Sequence, residues 1–276
     1  MRIPANEVID GEIYTFVNLL GKGAFGTVYK CKNSKGQFVA IKRIMNDTAA
    51  LEAKIMRQLN KPEFEQYFVQ CHKIYQSVDG AFCIVMEYCS GGSLEAFVKR
   101  VGRIDRNSAS TFLAQLVKGV QKLHTIGLMH RDLKPANILI GRVGVQIRLK
   151  IADFGISKDI PDCSTFLTQC GTPCYMAPEV VEGQRYDKSA DVFSLGAIMY
   201  FMTRGSHPSS FYFDRCGYPE YIDRPKGHSH SSISGRMMCK RREERLKLDE
   251  IEIQNKNQFF LLKTRNCTIC GRILSK

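Results

Sequence analysis

The sequence predicts an α+β protein of two lobes, a small strand-rich one followed by a larger, mostly helical one. Three observations carry this expectation. Runs rich in β-branched and aromatic residues crowd the first 88 positions, at 14–20, 27–32, 38–42, 71–78 and 81–88, and such runs bounded by glycine-bearing turns read as strands. From residue 107 the period changes, and Phe112, Leu113, Leu116, Val117, Val120 and Leu123 fall on one helical face. A second apolar helix is expected over 190–202. With 276 residues, 44% hydrophobic and 24% charged, the chain has the length and mixture of a globular protein with a real core.

The first strand, Tyr14 to Leu20, runs into Gly21-Lys22-Gly23-Ala24-Phe25-Gly26. Three glycines at this spacing let backbone N–H groups approach phosphate closely. The same spacing also marks dinucleotide sites and plain hairpins. A dinucleotide fold opens a helix at the last glycine, whereas Thr27-Val28-Tyr29-Lys30-Cys31 is strand-forming. Phe38-Val39-Ala40-Ile41-Lys42 is an apolar strand ending in one cation, which taken alone is equally a strand end whose stem lies along apolar surface. A helix is expected over 48–58, with Leu51, Ile55 and Leu59 on one face and Glu52 beside Ile55 and Met56. A carboxylate leaning toward an apolar face wants a cationic partner; the alternative is a half-exposed surface glutamate. Cys71 to Val78 and Ala81 to Tyr88 are expected to pair about Asp79-Gly80, a favoured hairpin turn.

In the second lobe the helix Asn107 to Ile126, ended at Gly127, delivers the chain to His130-Arg131-Asp132-Leu133-Lys134-Pro135-Ala136-Asn137. Asp132 can accept a hydroxyl proton, Lys134 can neutralise a phosphoryl group in transfer, and Asn137 can hold Mg²⁺ through its carbonyl oxygen. The competing reading is an ordinary charged turn. Short strands at 138–140 and 149–151, joined by a long connection at 141–148, would present Asn137 and Asp153 to one site. There the two side chains, phosphate oxygens and water can fill an octahedron around a metal.

In this order the motifs resemble those of the eukaryotic protein kinases of Ser/Thr type: the glycine triad 21–26, Val39-Ala40-Ile41-Lys42, the H-R-D-x-x-x-x-N run 130–137, Asp153-Phe154-Gly155 and Ala177-Pro178-Glu179. The resemblance covers residues 14 to about 208. It implies the bilobal protein-kinase fold, ATP and Mg²⁺ as cofactors, and Ser/Thr hydroxyls of proteins as acceptors. By resemblance Asp132 and Lys134 are catalytic, and Asn137 and Asp153 hold the metal. Nucleotide contacts are implied for Leu20, Gly21, Lys22, Gly23, Ala24, Phe25, Gly26, Val28, Ala40, Lys42 and Leu139, and for Glu52 through an ion pair with Lys42. The backbone of Glu87 and Cys89, after Met86, would meet the adenine edge in the hinge between lobes, and Cys89 would offer a target to thiol-reactive ligands. Asp191 would hold the backbone of the catalytic loop. Residues 153–179 resemble an activation loop, in which phosphate on Thr168 would pair with Arg131 and Thr172 would contact Asp132 and Lys134. A loop ordered without phosphate is the alternative. Lys134 points to a Ser/Thr acceptor and Ile156 to threonine, while Ser93 and Ala136 stand where basophilic kinases carry acids, so no basic consensus is expected.

The resulting division is an N-terminal extension (1–13), a first lobe (14–88), a second lobe to its central helix (89–208) and a basic divergent tail (209–276). The tail holds 14 Lys+Arg and 8 Asp+Glu, net +6 of the chain's +13. No arginine spaced to pair with Glu179 is found there. Ser209 to Ser234 reads as loop, a charged helix is expected from Cys239 to about Leu262, and Cys267-Thr268-Ile269-Cys270 is half a zinc site that Cys216, Cys239, His228 or His230 would have to complete. No zinc is expected. The tail is open to three readings: diverged helices of the second lobe, an altered end in their place, or an added binding element.

No run of some 18 apolar residues and no apolar leader occur, so no membrane partner is expected. The 11 scattered cysteines suit free thiols in cytoplasm or nucleus, without disulfides. The positive charge is expected to be solvated surface and not a nucleic-acid site; oligomeric state is left open. The functional reading is a Ser/Thr protein kinase, with the completeness of its second lobe left open. Its competitor is a non-catalytic ATP-binding or scaffold protein lacking the last helices of that lobe.

Overall fold

The computed structural model describes residues 6–9, 11–23, 26–45, 49–143, 146–154, 173–208 and 233–251. The first lobe is an antiparallel six-stranded sheet in the order β1-β2-β3-β4-β6-β5. Its strands are β1 (Asn6–Ile9), β2 (Glu12–Gly23), β3 (Gly26–Asn33), β4 (Phe38–Ile44), β5 (Cys71–Gln76) and β6 (Phe82–Glu87). The β5–β6 turn carries Gly80 at φ 83, its N–H donating to the Ser77 carbonyl at 2.9 Å. One face of the sheet meets helix α1 (Ala49–Leu59), whose Glu52, Ala53, Ile55, Met56 and Leu59 are buried. The other face has its own core of Ile9, Tyr14, Cys31, Val39, Ile41, Cys83 and Val85. The four-residue β1 was not anticipated. It is tied across the lobe by Arg43, whose guanidinium reaches Glu7 at 3.2 Å and Asp79 at 2.6 Å.

The second lobe begins with α2 (Leu94–Val101), capped by the Ser93 hydroxyl, which accepts from the Ala96 N–H at 3.1 Å. In α3 (Arg106–Thr125) Asp105 accepts from the N–H groups of Asn107 and Ser108, and Gly127 at φ 78 follows the helix end. The expected long connection at 141–148 is mostly strand. β7 (Ile138–Val143) and β8 (Gln146–Ile151) pair in register from Ile138↔Ile151 to Val143↔Gln146, because the backbone pairing carries straight through Gly141 and Arg148. After the short α4 (Pro178–Val181) comes α5 (Ser189–Arg204), apolar on nearly every side and therefore central.

Against α5 packs α6 (Ile233–Met237), with Ile233, Met237, Leu246 and Ile251 joining the main core. A Cβ on Gly196 would stand 2.8 Å from Met237 Cβ and Met238 Cγ, so only glycine admits this approach. The charged helix expected from Cys239 is not continuous among the described residues. A 3₁₀ turn at Arg242–Glu244 gives way to extended backbone at Arg245 (ψ 144), because Arg245 and Leu246 turn inward. Among the described residues no helix is long and apolar enough to cross a membrane.

Candidate active site

Strand β4 places Lys42 facing α1, and the two elements meet in charge. The Lys42 ammonium lies 2.6 Å from Glu52 Oε1 and 2.7 Å from Asp153 Oδ1. Lys42 is only 5% exposed, so its charge is stabilised by these carboxylates and little by water. Burial works to lower the Lys42 pKa, but Asp153 and Glu52 outweigh it and hold it above the ordinary lysine value. For Asp153 burial works upward and Lys42 overcomes it, holding the carboxyl low. Glu52 is pushed up by burial despite the ammonium beside it. Next along the chain, Phe154 is buried, edge-on to Phe68 and 5.3 Å from the His130 ring.

On the far side stands the 130–137 loop. Lys134 Nζ donates to both Asp132 oxygens, at 3.1 and 2.8 Å, and the Asn137 amide donates to the Asp132 carbonyl (2.9 Å) and to its Oδ2 (3.0 Å). The loop is held from beneath by Asp191 at the start of α5, which accepts the N–H groups of His130 and Arg131, both at 3.1 Å, and meets His124 Nε2 at 2.7 Å. His130 takes the Asp132 N–H on Nδ1 (3.3 Å) and faces the Ala152 carbonyl with Nε2 (3.1 Å), a pattern that places the ring proton on Nε2. Among the described residues the only non-glycine positions with positive φ are Arg131 (67°), which precedes the Asp132 carboxylate, and Asp153 (57°), which bears the other. Backbone in this region stays where surrounding contacts over-determine it.

Beside Lys42, which β4 pairs with Val28, β2 and β3 form the glycine hairpin, with Gly21 opposite Val28, Lys22 opposite Thr27 and Gly23 opposite Gly26. Added Cβ atoms at Gly21 and Gly23 would meet nothing within 4 Å, whereas one at Gly26 (φ 126) would run into the Arg43 carbonyl. Leu20 is 44% exposed at the hairpin's base. Val28, Ala40, Met86, Cys89 and Leu139 belong to one apolar cluster running from the first lobe into the second. Ala24, Phe25, Gly155, Ile156, Thr168 and Thr172 lie outside the described residues, as do Cys216, His228, His230, Cys267 and Cys270.

The hinge corrects one expectation. The Cys89 thiol is buried against Gly141, and burial, with Glu87 adding to it, pushes its pKa up to about 12, so it is a poor nucleophile. A lysine that sequence reasoning passed over lies beneath: Lys150, 2% exposed, reaches both Glu87 oxygens at 2.5 and 2.6 Å. Its one signal was a cation between Leu149 and Ile151 in an apolar strand.

The arginine missing from the motif spacing is Arg245. It makes two parallel bonds of 2.6 Å to the Glu179 carboxylate, with its guanidinium carbon 5.2 Å from the Phe193 ring centre, and its side chain is 1% exposed. Lying 66 positions beyond its partner, it had no local signal.

Among the described residues no three His, Cys, Asp or Glu side chains are grouped to hold a metal. Asp153 and Asn137 nevertheless fit a hard divalent cation that takes its remaining ligands from phosphate and water. They offer a carboxylate and, with the Asn137 amide nitrogen turned to Asp132, an amide carbonyl.

Two carboxylates with ammonium partners, Asp153 with Lys42 and Asp132 with Lys134, together with a glycine-cornered hairpin whose second strand pairs with that of Lys42, define a phosphotransferase of the two-lobed α+β class. The protein kinase domain family matches residues 14–220, and the chain belongs to that family. It is 35% identical over 198 residues to "Serine/threonine-protein kinase ATG1a" of Arabidopsis thaliana, covering 68% of this chain and 31% of that protein. To "Probable serine/threonine-protein kinase zyg-1" it is 36% identical over 200 residues in Caenorhabditis elegans, covering 71% of this chain and 28% of that one. In Caenorhabditis briggsae the figures are 34% over 247 residues, 87% of this chain and 33% of that one. The chain thus spans about a third of the length of the curated relatives it matches. Family membership brings ATP as the phosphoryl donor and, typically, a divalent metal.

Proposed function

We propose that this chain transfers the γ-phosphoryl group of ATP to Ser/Thr hydroxyls of protein substrates. The observation that carries the reading is the pairing of Lys42 with both Glu52 and Asp153 while Lys134 and Asn137 hold Asp132. The ion pair to Glu52 fixes Lys42 on the helix side, leaving its ammonium to bind phosphate oxygens. Asp132 takes the proton of the attacking hydroxyl, and Lys134, 2.8 Å from that carboxylate, offsets charge building on the phosphoryl oxygens. Asp191, by fixing the backbone N–H groups before Asp132, keeps its carboxylate aimed. Mg²⁺ held by Asp153 and Asn137 would supply neutralising charge to the triphosphate. The apolar cluster of Val28, Ala40, Met86 and Leu139 supports an adenine site against the hinge backbone of Glu87 and Cys89.

Regulation by phosphate belongs to the same reading. Arg131 is exposed, its guanidinium carbon 5.8 Å from the Tyr186 ring centre, and among the described residues no carboxylate pairs with it that a phosphate on Thr168 would have to displace. Thr172, which lies outside the described residues, would by the same resemblance contact Asp132 and Lys134.

The test is ³²P transfer from labelled ATP to a generic Ser/Thr protein substrate. Asp132→Asn is expected to lower the rate by about 10²–10⁴-fold. Wild type and variant equally silent, with nucleotide still raising the melting temperature, would instead establish a non-catalytic nucleotide-binding protein.

A further inference from the structure

Lys150 is an ammonium buried mid-strand in β8 that the transfer scheme does not use. Its stem passes Gly141, where a Cβ would stand 3.6 Å from Lys150 Cδ and Cε and from Cys89 Sγ, and its Nζ ends on both oxygens of Glu87. Glu87 closes the last strand of the first lobe. Its Oε1 also accepts the Gln70 N–H at 2.9 Å, and its own N–H donates to the Gln70 carbonyl at 3.0 Å. The 67–69 segment is stitched in turn to β8, through Val69 N–H to the Ile151 carbonyl (3.1 Å) and Ile151 N–H to the Tyr67 carbonyl (2.8 Å). Lys150 therefore joins one lobe's sheet to the other lobe's hairpin at the hinge. It faces Leu139 in the β7–β8 register and precedes Asp153 by three residues.

A buried ion pair is weak grounds for stability, since apolar replacement of both partners is often neutral. Geometry is the better explanation of this one. A single ammonium spans the joint and holds the carboxylate whose backbone borders the purine site. The Glu87 side chain is 25% exposed, so a carboxylate released by Lys150 can turn toward water, and the hinge backbone would turn with it.

We propose that Lys150 is a positioning residue for the nucleotide: by holding Glu87 it sets the height of the 87–89 backbone over Leu139, and so the affinity for ATP, without touching it. This rests on the reading of the hinge as the adenine edge.

The experiment uses the full chain with Lys150→Met and the double variant Lys150→Met/Glu87→Met. Mg-ATP affinity is measured from the nucleotide-dependent rise in melting temperature, which needs no turnover, and KM and kcat from ³²P transfer. Lys150→Met is expected to weaken Mg-ATP by about fivefold or more, raising KM for ATP with kcat within about twofold of wild type. The double variant is expected to recover the nucleotide-free melting temperature but not the affinity, and it decides the matter if the single variant does not fold. Unchanged Mg-ATP affinity in a folded variant, wild-type affinity in the double variant, or a fall in kcat at constant KM would each overturn the assignment. A wild type that binds Mg-ATP without transferring phosphate would sink the kinase reading while leaving this one intact.

Discussion

Arg245 holds Glu179 through two bonds of 2.6 Å at the base of the second lobe, with both side chains out of water. Among the described residues neither charge has a second ion-pair partner, Arg245 otherwise donating only to the carbonyls of Cys239, Lys240 and Ser189, so removing one strands the other. Arg245→Ala is expected to destabilise the protein by about 3–5 kcal/mol. Glu179→Met/Arg245→Met should cost far less, because no charge is left behind. Urea midpoints at constant slope decide this. Equal losses in the single and double variants would mean that the loss comes from the missing pair itself and not from a stranded charge.

Asp191 gives a pH signature. Burial works to raise its pKa, but the His124 hydrogen bond, the neighbouring histidines and the Arg131 N–H hold it below the ordinary carboxylate value. A lowered folded-state pKa contributes stability that is fully present above the unfolded value of about 3.9 and is lost as pH falls through the folded one. Asp191→Asn should therefore be less stable at neutral pH and show a shallower further loss between pH 5 and the acid limit, as followed by thermal melts. Its kcat should fall by about 10²-fold, from misaiming Asp132.

At Gly26 the chain needs both positive φ and the absence of a side chain, since an added Cβ would run into the Arg43 carbonyl. Gly26→Ala is expected to cost about 1–3 kcal/mol in the melt. Because Arg43 is the residue after Lys42, the displaced strand should also weaken nucleotide binding. Gly23→Ala, whose Cβ would meet nothing within 4 Å, is the control expected to melt like wild type.

Cys89 should resist alkylation. With its pKa near 12, a fraction of only about 10⁻⁴ is thiolate at pH 8. Peptide mapping after iodoacetamide should find Cys89 unmodified in folded protein and modified once urea unfolds it.

What could be read from the sequence was whatever is local. Asp132, Lys134 and Asn137 sit within six residues, so their convergence needs one loop, and the structure brings them together. Lys42, Glu52 and Asp153 were legible because strand period, helix face and motif order each pointed the same way, and they meet around one ammonium. Long-range pairs were opaque. Arg245 stands among five other basic residues between 236 and 247, and nothing in charge alone marks which one turns inward. Lys150 hid in an apolar strand, where a buried ammonium is improbable until its carboxylate is located. The strand β1 was too short to show a period, and its anchor on Arg43 depends on how the sheet curls.

The contact at Gly196 makes that position a wedge site. A leucine there would find its volume already taken by Met237 and Met238, so Gly196→Leu should prise residues 233–251 off α5 and draw Arg245 away from Glu179, leaving every group that faces the nucleotide unaltered. One buried glycine thus offers a handle for uncoupling the lobe's underside from its chemistry.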